Sequence, residues 1–123
     1  MKFSQADPAD GYLVEAYAPG SIQIDGRNFT VGLILSPRKL VPDWGPARAE
    51  ELTLAHLEAL LALNPQLILL GTGARQVFPP PALLASAMTR GIGIEVMDTG
   101  AACRTYNILM SEGREVVAGL LPI

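Results

Sequence analysis

Cysteine, histidine and positive charge are all scarce in this chain, and each scarcity removes a class of function. The one cysteine, Cys103, cannot close an internal disulfide. With His56 as the one histidine, a Cys/His zinc site needs ligands from a second subunit. Both facts suit a reducing compartment, so a cytoplasmic location is expected and no metal is. Nine Lys and Arg stand against twelve Asp and Glu, a net charge of −3, which leaves no basic surplus to neutralise phosphates. Nucleic acid is therefore not an expected partner. Long apolar runs are missing too: each breaks at Asn, Pro, Gly or a charge well short of the roughly 20 residues that span a bilayer. No transmembrane segment is expected, and Met1 to Gly11 lacks the apolar stretch of a secretory signal. Aromatic residues make up only 6% and are not interleaved with basic ones, so Trp44, Phe78 and Tyr106 read as packing anchors rather than a base-stacking platform.

What remains is a folding composition. Half of the 123 residues are hydrophobic and 17% are charged, the opposite of a disordered chain. The length suits one core and thus a single domain over 1–123, with 1–11 expected to be a flexible N-terminal segment. Tyr12 to Tyr17, Ser21 to Asp25 and Asn28 to Leu35 read as strands. Asp25-Gly26 is a pair that tolerates the positive φ of a tight hairpin. Ser36 to Pro46 carries three prolines and reads as a loop.

From Thr53, a plausible N-cap, the period becomes helical through Leu54, Leu57, Leu60 and Leu61, and Asn64-Pro65 ends it. Leu67 to Leu70 reads as a buried strand leaving the sheet at Gly71-Thr72-Gly73. Pro79 to Pro81 lead into a helix with Leu83, Leu84, Ala87 and Met88 on one face, and Gly91 ends it. Ile92 to Met97 reads as a second buried strand. Asp98 or Thr99 caps a third helix carrying Ala102, Tyr106 and Leu109, and Glu115 to Leu121 closes the order as a strand. The expected fold class is α/β: a mixed β-sheet with an N-terminal antiparallel hairpin or meander and about three flanking helices.

In such a sheet, ligands favour the carboxyl ends of strands. Two of these ends carry polar groups. Gly71, Thr72, Gly73 and Arg75 offer backbone amides, a hydroxyl and a guanidinium suited to an anion, although neither the phosphate-loop nor the dinucleotide pattern is complete. The first reading of the glycines is that they only let the chain turn closely against the sheet. Glu95, Asp98 and Thr99 form the other end. Glu95 interrupts a strand expected to be covered on both faces, so it is either a proton-transfer base, a carboxylate paired with Arg75, or a residue on an edge. Asp98 and Thr99 read first as helix caps. Asn107 is expected to tether a distant backbone group, Cys103 to be a core thiol and His56 to flank a helix. Val41 and Trp44, in the proline-rich loop, are candidate partner contacts if they form an exposed apolar patch.

The ordered set Leu70-Gly71-Thr72-Gly73, Gly91-Ile92-Gly93-Ile94-Glu95-Val96-Met97-Asp98-Thr99, Ala102, Thr105-Tyr106-Asn107-Ile108-Leu109 and Glu112-Gly113-Arg114 resembles a small domain family. Ile22 to Gly26 and the loop with Trp44 match it as well, so the likeness runs from about Gly20 to Pro122. The family contains the adipogenesis-associated domain protein of animals, the third mitochondrial assembly factor of respiratory complex I, and many uncharacterised bacterial members. The resemblance implies a helix-flanked mixed sheet and no established enzymatic activity for most members. It supplies no catalytic residue to carry over and no cofactor. Since no Arg-rich presequence is visible, a free-standing cytosolic protein is expected. The leading expectation is an interaction or assembly-type protein with a protein partner. The alternative is an anion-binding module or enzyme at Gly71–Arg75 and Glu95–Thr99, and a homodimer is a further option.

Overall fold

Asp25 and Gly26 take φ of 54° and 73°, the pair of left-handed conformations that a two-residue hairpin turn needs. They join β2 (Ser21–Ile24) to β3 (Arg27–Phe29), and β1 (Val14–Ala18) pairs antiparallel with β2 on its other side. The expected N-terminal meander is thus present as a three-stranded sheet. The computed structural model describes residues 11–123. The flexible segment expected over 1–11 lies, apart from Gly11, outside them.

The expected strand over Asn28 to Leu35 divides in two. Its second half is β4 (Leu33–Leu35), which leaves the first sheet for another. Gly32 sits at the break because a Cβ there would lie 2.1 Å from the Trp44 carbonyl oxygen, while the Trp44 N–H donates to the Gly32 carbonyl at 2.8 Å. Two backbones touch at this point, and only glycine permits it. The proline-rich stretch expected to be a loop also contributes a short strand, β5 (Leu40–Val41), paired antiparallel with β4.

The second sheet has five strands in the order β5-β4-β8-β6-β7, with β6 (Leu67–Gly71), β7 (Gly93–Met97) and β8 (Val116–Leu120) mutually parallel. Helix α1 (Leu54–Leu61) precedes β6, α2 (Pro81–Met88) links β6 to β7, and α3 (Thr99–Ser111) links β7 to β8. Side chains alternate between two packed layers, as strand geometry requires. Leu33, Leu35, Leu69, Val116, Ala118 and Leu120 meet α3 and the small sheet on one face. Ile34, Ile68, Leu70, Val117 and Leu121 meet α1, α2 and the Trp44 loop on the other.

Local signals hold the helices where the periodicity placed them. Thr53 caps α1, and the His56 ring reaches back to the Thr53 N–H to complete a capping box. Asp98 caps α3 by accepting the Ala101 N–H at 2.8 Å. Asn107 accepts the Val14 N–H and donates to the Val14 carbonyl, both at 2.9 Å, which ties α3 to β1.

Candidate functional site

Strand β6 is a topological switch point: the chain runs from it to β7 on one side and later returns to β8 on the other. Open α/β sheets place ligand crevices at the carboxyl end of such a strand. The two predicted strand ends do lie side by side, with Gly71 in register with Met97. Gly71, Thr72, Gly73, Asp98 and Thr99 are brought together there.

Their polar groups, however, bond mostly to one another. The buried Thr99 hydroxyl accepts the Gly73 N–H at 2.8 Å and donates to the Leu121 carbonyl at 2.7 Å. The Thr99 N–H returns to the Gly73 carbonyl at 2.9 Å. The Thr72 hydroxyl donates to the Arg75 carbonyl at 2.6 Å and accepts the Val77 N–H at 3.0 Å. The Thr72 and Leu121 amides donate to Met97 and Gly71, both at 2.9 Å. Two threonines therefore stitch the ends of β6, β7 and β8 into one block. Gly71 serves that closure, because a Cβ there would stand 3.0 Å from the Thr99 Cα.

The side chains of Arg75 and Glu95 stay outside this block. Both are exposed, and among the described residues no ion pair joins them. The strand carrying Glu95 is the last in the sheet, not an inner one, so the burial on which a proton-transfer role depended is lacking. Of the three alternatives for Glu95, the structure gives the edge position.

The partner-contact expectation for Trp44 is also corrected. Its side chain is only 6% exposed, its indole N–H donates to the His56 carbonyl at 3.1 Å, and its ring edge comes within 2.7 Å of where a Gly119 Cβ would lie. A bulky apolar ring beside a side-chain-free site on β8 is a core contact. Val41 is half-buried in β5 and packs against the same cluster, so the two make no exposed apolar patch. Phe78, expected as an anchor, is instead 65% exposed, and Met88 leaves the apolar face of α2 at 72%.

Beside the stitched block lies an open groove of about 310 Å³, lined by Tyr17, Gly73, Asp98, Gly100, Arg104 and Ile123 among others. Arg104 donates to the Tyr17 hydroxyl, and its guanidinium stands 5.9 Å from the Tyr17 ring centre. Neither residue was singled out from the sequence. The available signal was that Arg104 is the one charged residue within α3. On the inner side of α3, Cys103 and Tyr106 are fully buried: burial pushes the Cys103 thiol up to about 12 and raises the Tyr106 phenol, whose hydroxyl donates to the Tyr12 carbonyl at 2.7 Å. Among the described residues no group of His, Cys, Asp and Glu is placed to hold a metal, and no helix is long and apolar enough to cross a membrane.

Comparison with known proteins first gives the class. A Bordetella pertussis protein described as an Mth938-like domain superposes with a TM-score of 0.82 at 32% identity, covering 99% of this chain and 92% of that one. Residues 14–121 match a family model described as a protein of unknown function, DUF498/DUF598, and the chain belongs to that family. An uncharacterised Rhodobacter capsulatus protein is 37% identical over 98% of this chain and 89% of its own. The assembly factor 3 of the NADH dehydrogenase [ubiquinone] 1 alpha subcomplex from Danio rerio is 33% identical over 99% of this chain, which spans 71% of that protein.

Proposed function

We propose that this protein is a docking scaffold of the assembly-factor type: it binds a partner protein during construction of a larger complex and catalyses no reaction. The observation that carries this reading is the 33% identity to a respiratory complex assembly factor along 99% of the chain. The mutual bonding of the strand-end donors also supports it, because a crevice whose polar groups already bond each other offers a substrate little. The reading sets the protein in the cytoplasm, at the inner face of the membrane complex it serves. The test is native gel separation of a tagged copy expressed in its own host. Co-migration with a subassembly of NADH dehydrogenase, and accumulation of that subassembly when the gene is deleted, is the expected result. Migration as a free protein together with unchanged complex in the deletion strain would overturn it.

A second reading rests on the open groove. Arg104, with Gly73 and Asp98 from the expected strand ends, lines a space that a small anion would fill. Thermal-shift screening of phosphates, nucleotides and carboxylates tests it, since a ligand at 100 times its Kd adds about 2.7 kcal/mol. Absence of any shift, or a shift that survives Arg104→Ala, removes it.

A further inference from the structure

Both terminal strands of the five-stranded sheet, β5 and β7, have a neighbour on one side only; β5 is two residues long, so the outer edge of β7, five residues long, is the longer run of backbone groups left to offer. In a parallel strand the N–H and C=O of one residue point to the same side, and successive residues alternate. The Thr72 N–H donates to the Met97 carbonyl, so Met97 faces β6, and Glu95 and Gly93 face it with Met97. Ile94 and Val96 therefore turn their N–H and C=O groups outward. One of those four groups is occupied: the Gln76 carboxamide donates to the Val96 carbonyl at 2.9 Å. Among the described residues no strand pairs with this edge.

Exposed strand edges are templates for another strand, and the charge they carry selects which one. Glu95, exposed, stands at the midpoint of Gly93–Met97. A second copy paired antiparallel along the full strand would set Glu95 opposite its own counterpart, with Cβ atoms about 4.5–5.5 Å apart, which like charges oppose. The same geometry favours lysine or arginine at that position in a foreign strand, and the chain's net charge of −3 adds to the preference. We propose that the outer edge of β7 is the docking strand for an extended, basic segment of a partner protein, added antiparallel, and that Gln76 is the placeholder it displaces. This deepens the scaffold reading and rests on it for the partner's being a protein.

The experiment follows backbone amide signals of the labelled chain by NMR during titration with two seven-residue synthetic peptides. Both alternate threonine and valine; one has lysine at its centre and its twin has glutamate. The lysine peptide shifts the Ile94 and Val96 amides saturably, and the glutamate twin binds about fivefold more weakly. Glu95→Lys inverts that order. Gln76→Ala strengthens binding of the lysine peptide, because the Val96 carbonyl no longer has to exchange partners. Both variants keep the spectrum of the folded chain, because both substitutions are on exposed side chains. Absence of saturable shifts at the edge, equal binding of the twins, or weaker binding to Gln76→Ala overturns the proposal. If the peptides fail while the chain still co-migrates with a subassembly, the docking strand is refuted and the scaffold function stands; if co-migration fails while the peptides bind as expected, the reverse holds.

Discussion

Thr99→Val is the sharpest test of the stitched strand ends, because valine keeps the shape of threonine and removes only the hydroxyl. In the native chain that hydroxyl satisfies the Gly73 N–H and the Leu121 carbonyl, and the residue is fully buried. Valine leaves one donor and one acceptor without this partner in a site closed to water. Each orphaned buried group costs about 1–3 kcal/mol, so the pair together should cost about 3 kcal/mol, allowing for some relaxation. A chain of 123 residues gains roughly 0.26 kcal/mol/K of entropy on unfolding, so Tm should fall by about 12 °C. Urea denaturation followed by circular dichroism gives the same quantity isothermally, with an unchanged m-value marking a native-state effect. Thr99→Ser is the control: it restores both hydrogen bonds and loses one methyl group, at a cost of about 1 kcal/mol. If valine stays within about 0.5 kcal/mol of the parent, or serine is as damaging as valine, the hydroxyl is not holding the strand ends and the crevice is open to a ligand after all.

Trp44, as the one tryptophan, reports its own burial: acrylamide should quench its fluorescence weakly in the native chain and strongly in urea, and Trp44→Ala should cost about 3–5 kcal/mol. Equal quenching in both states would return Trp44 to the surface. Cys103 should resist a thiol reagent at pH 8 until the chain unfolds. Its thiol is held protonated up to about 12 in the folded state against an ordinary 9.0, so above pH 9 the unfolded chain binds fewer protons there. Its contribution to stability is therefore fully present below pH 9 and is lost as pH rises through the window between the two values; Cys103→Ala should make the alkaline fall in stability shallower, with the buried Tyr106 phenol supplying part of what remains. Asn107→Ala removes both bonds to Val14 and should lower stability by about 2 kcal/mol, with faster hydrogen exchange at the Val14 amide; unchanged exchange would mean that α3 does not tether β1.

Element type and order were legible because they depend on neighbours in sequence. Asp25-Gly26, Thr53, Asn64-Pro65 and Asp98 are local devices, and each does in the fold what its chemistry suggests. Asn107 was legible for a related reason: an amide in a helix that does not serve the helix must serve something else. In two places the fold departs from the expected strands where the local pattern itself carries the signal. Gly32 inside an apparent strand marks a close approach, and that approach is where the chain passes from one sheet to the other. In Ile92 to Met97, the alternation of Ile94 and Val96 with Gly93 and Glu95 is the period-2 mark of a strand covered on one face only, and β7 buries it in that way.

The position of Glu95 and the fate of the strand-end donors could not be read in this manner, because both depend on strand order. Nothing local to Gly93–Met97 says that β8 pairs on the far side of β6 and leaves β7 last. Once that order is fixed, the two strand ends acquire opposite characters. The carboxyl end of β6 is surrounded by β7, β8 and α3, so its hydroxyls and amides find partners within the chain and become structure. The flank of β7 has a neighbour on one side only, so its outward groups keep their capacity to bond, with Gln76 holding a single one. Capacity for further backbone hydrogen bonds in this sheet therefore lies along its margin and not at its centre, which is where the proposed partner strand would add.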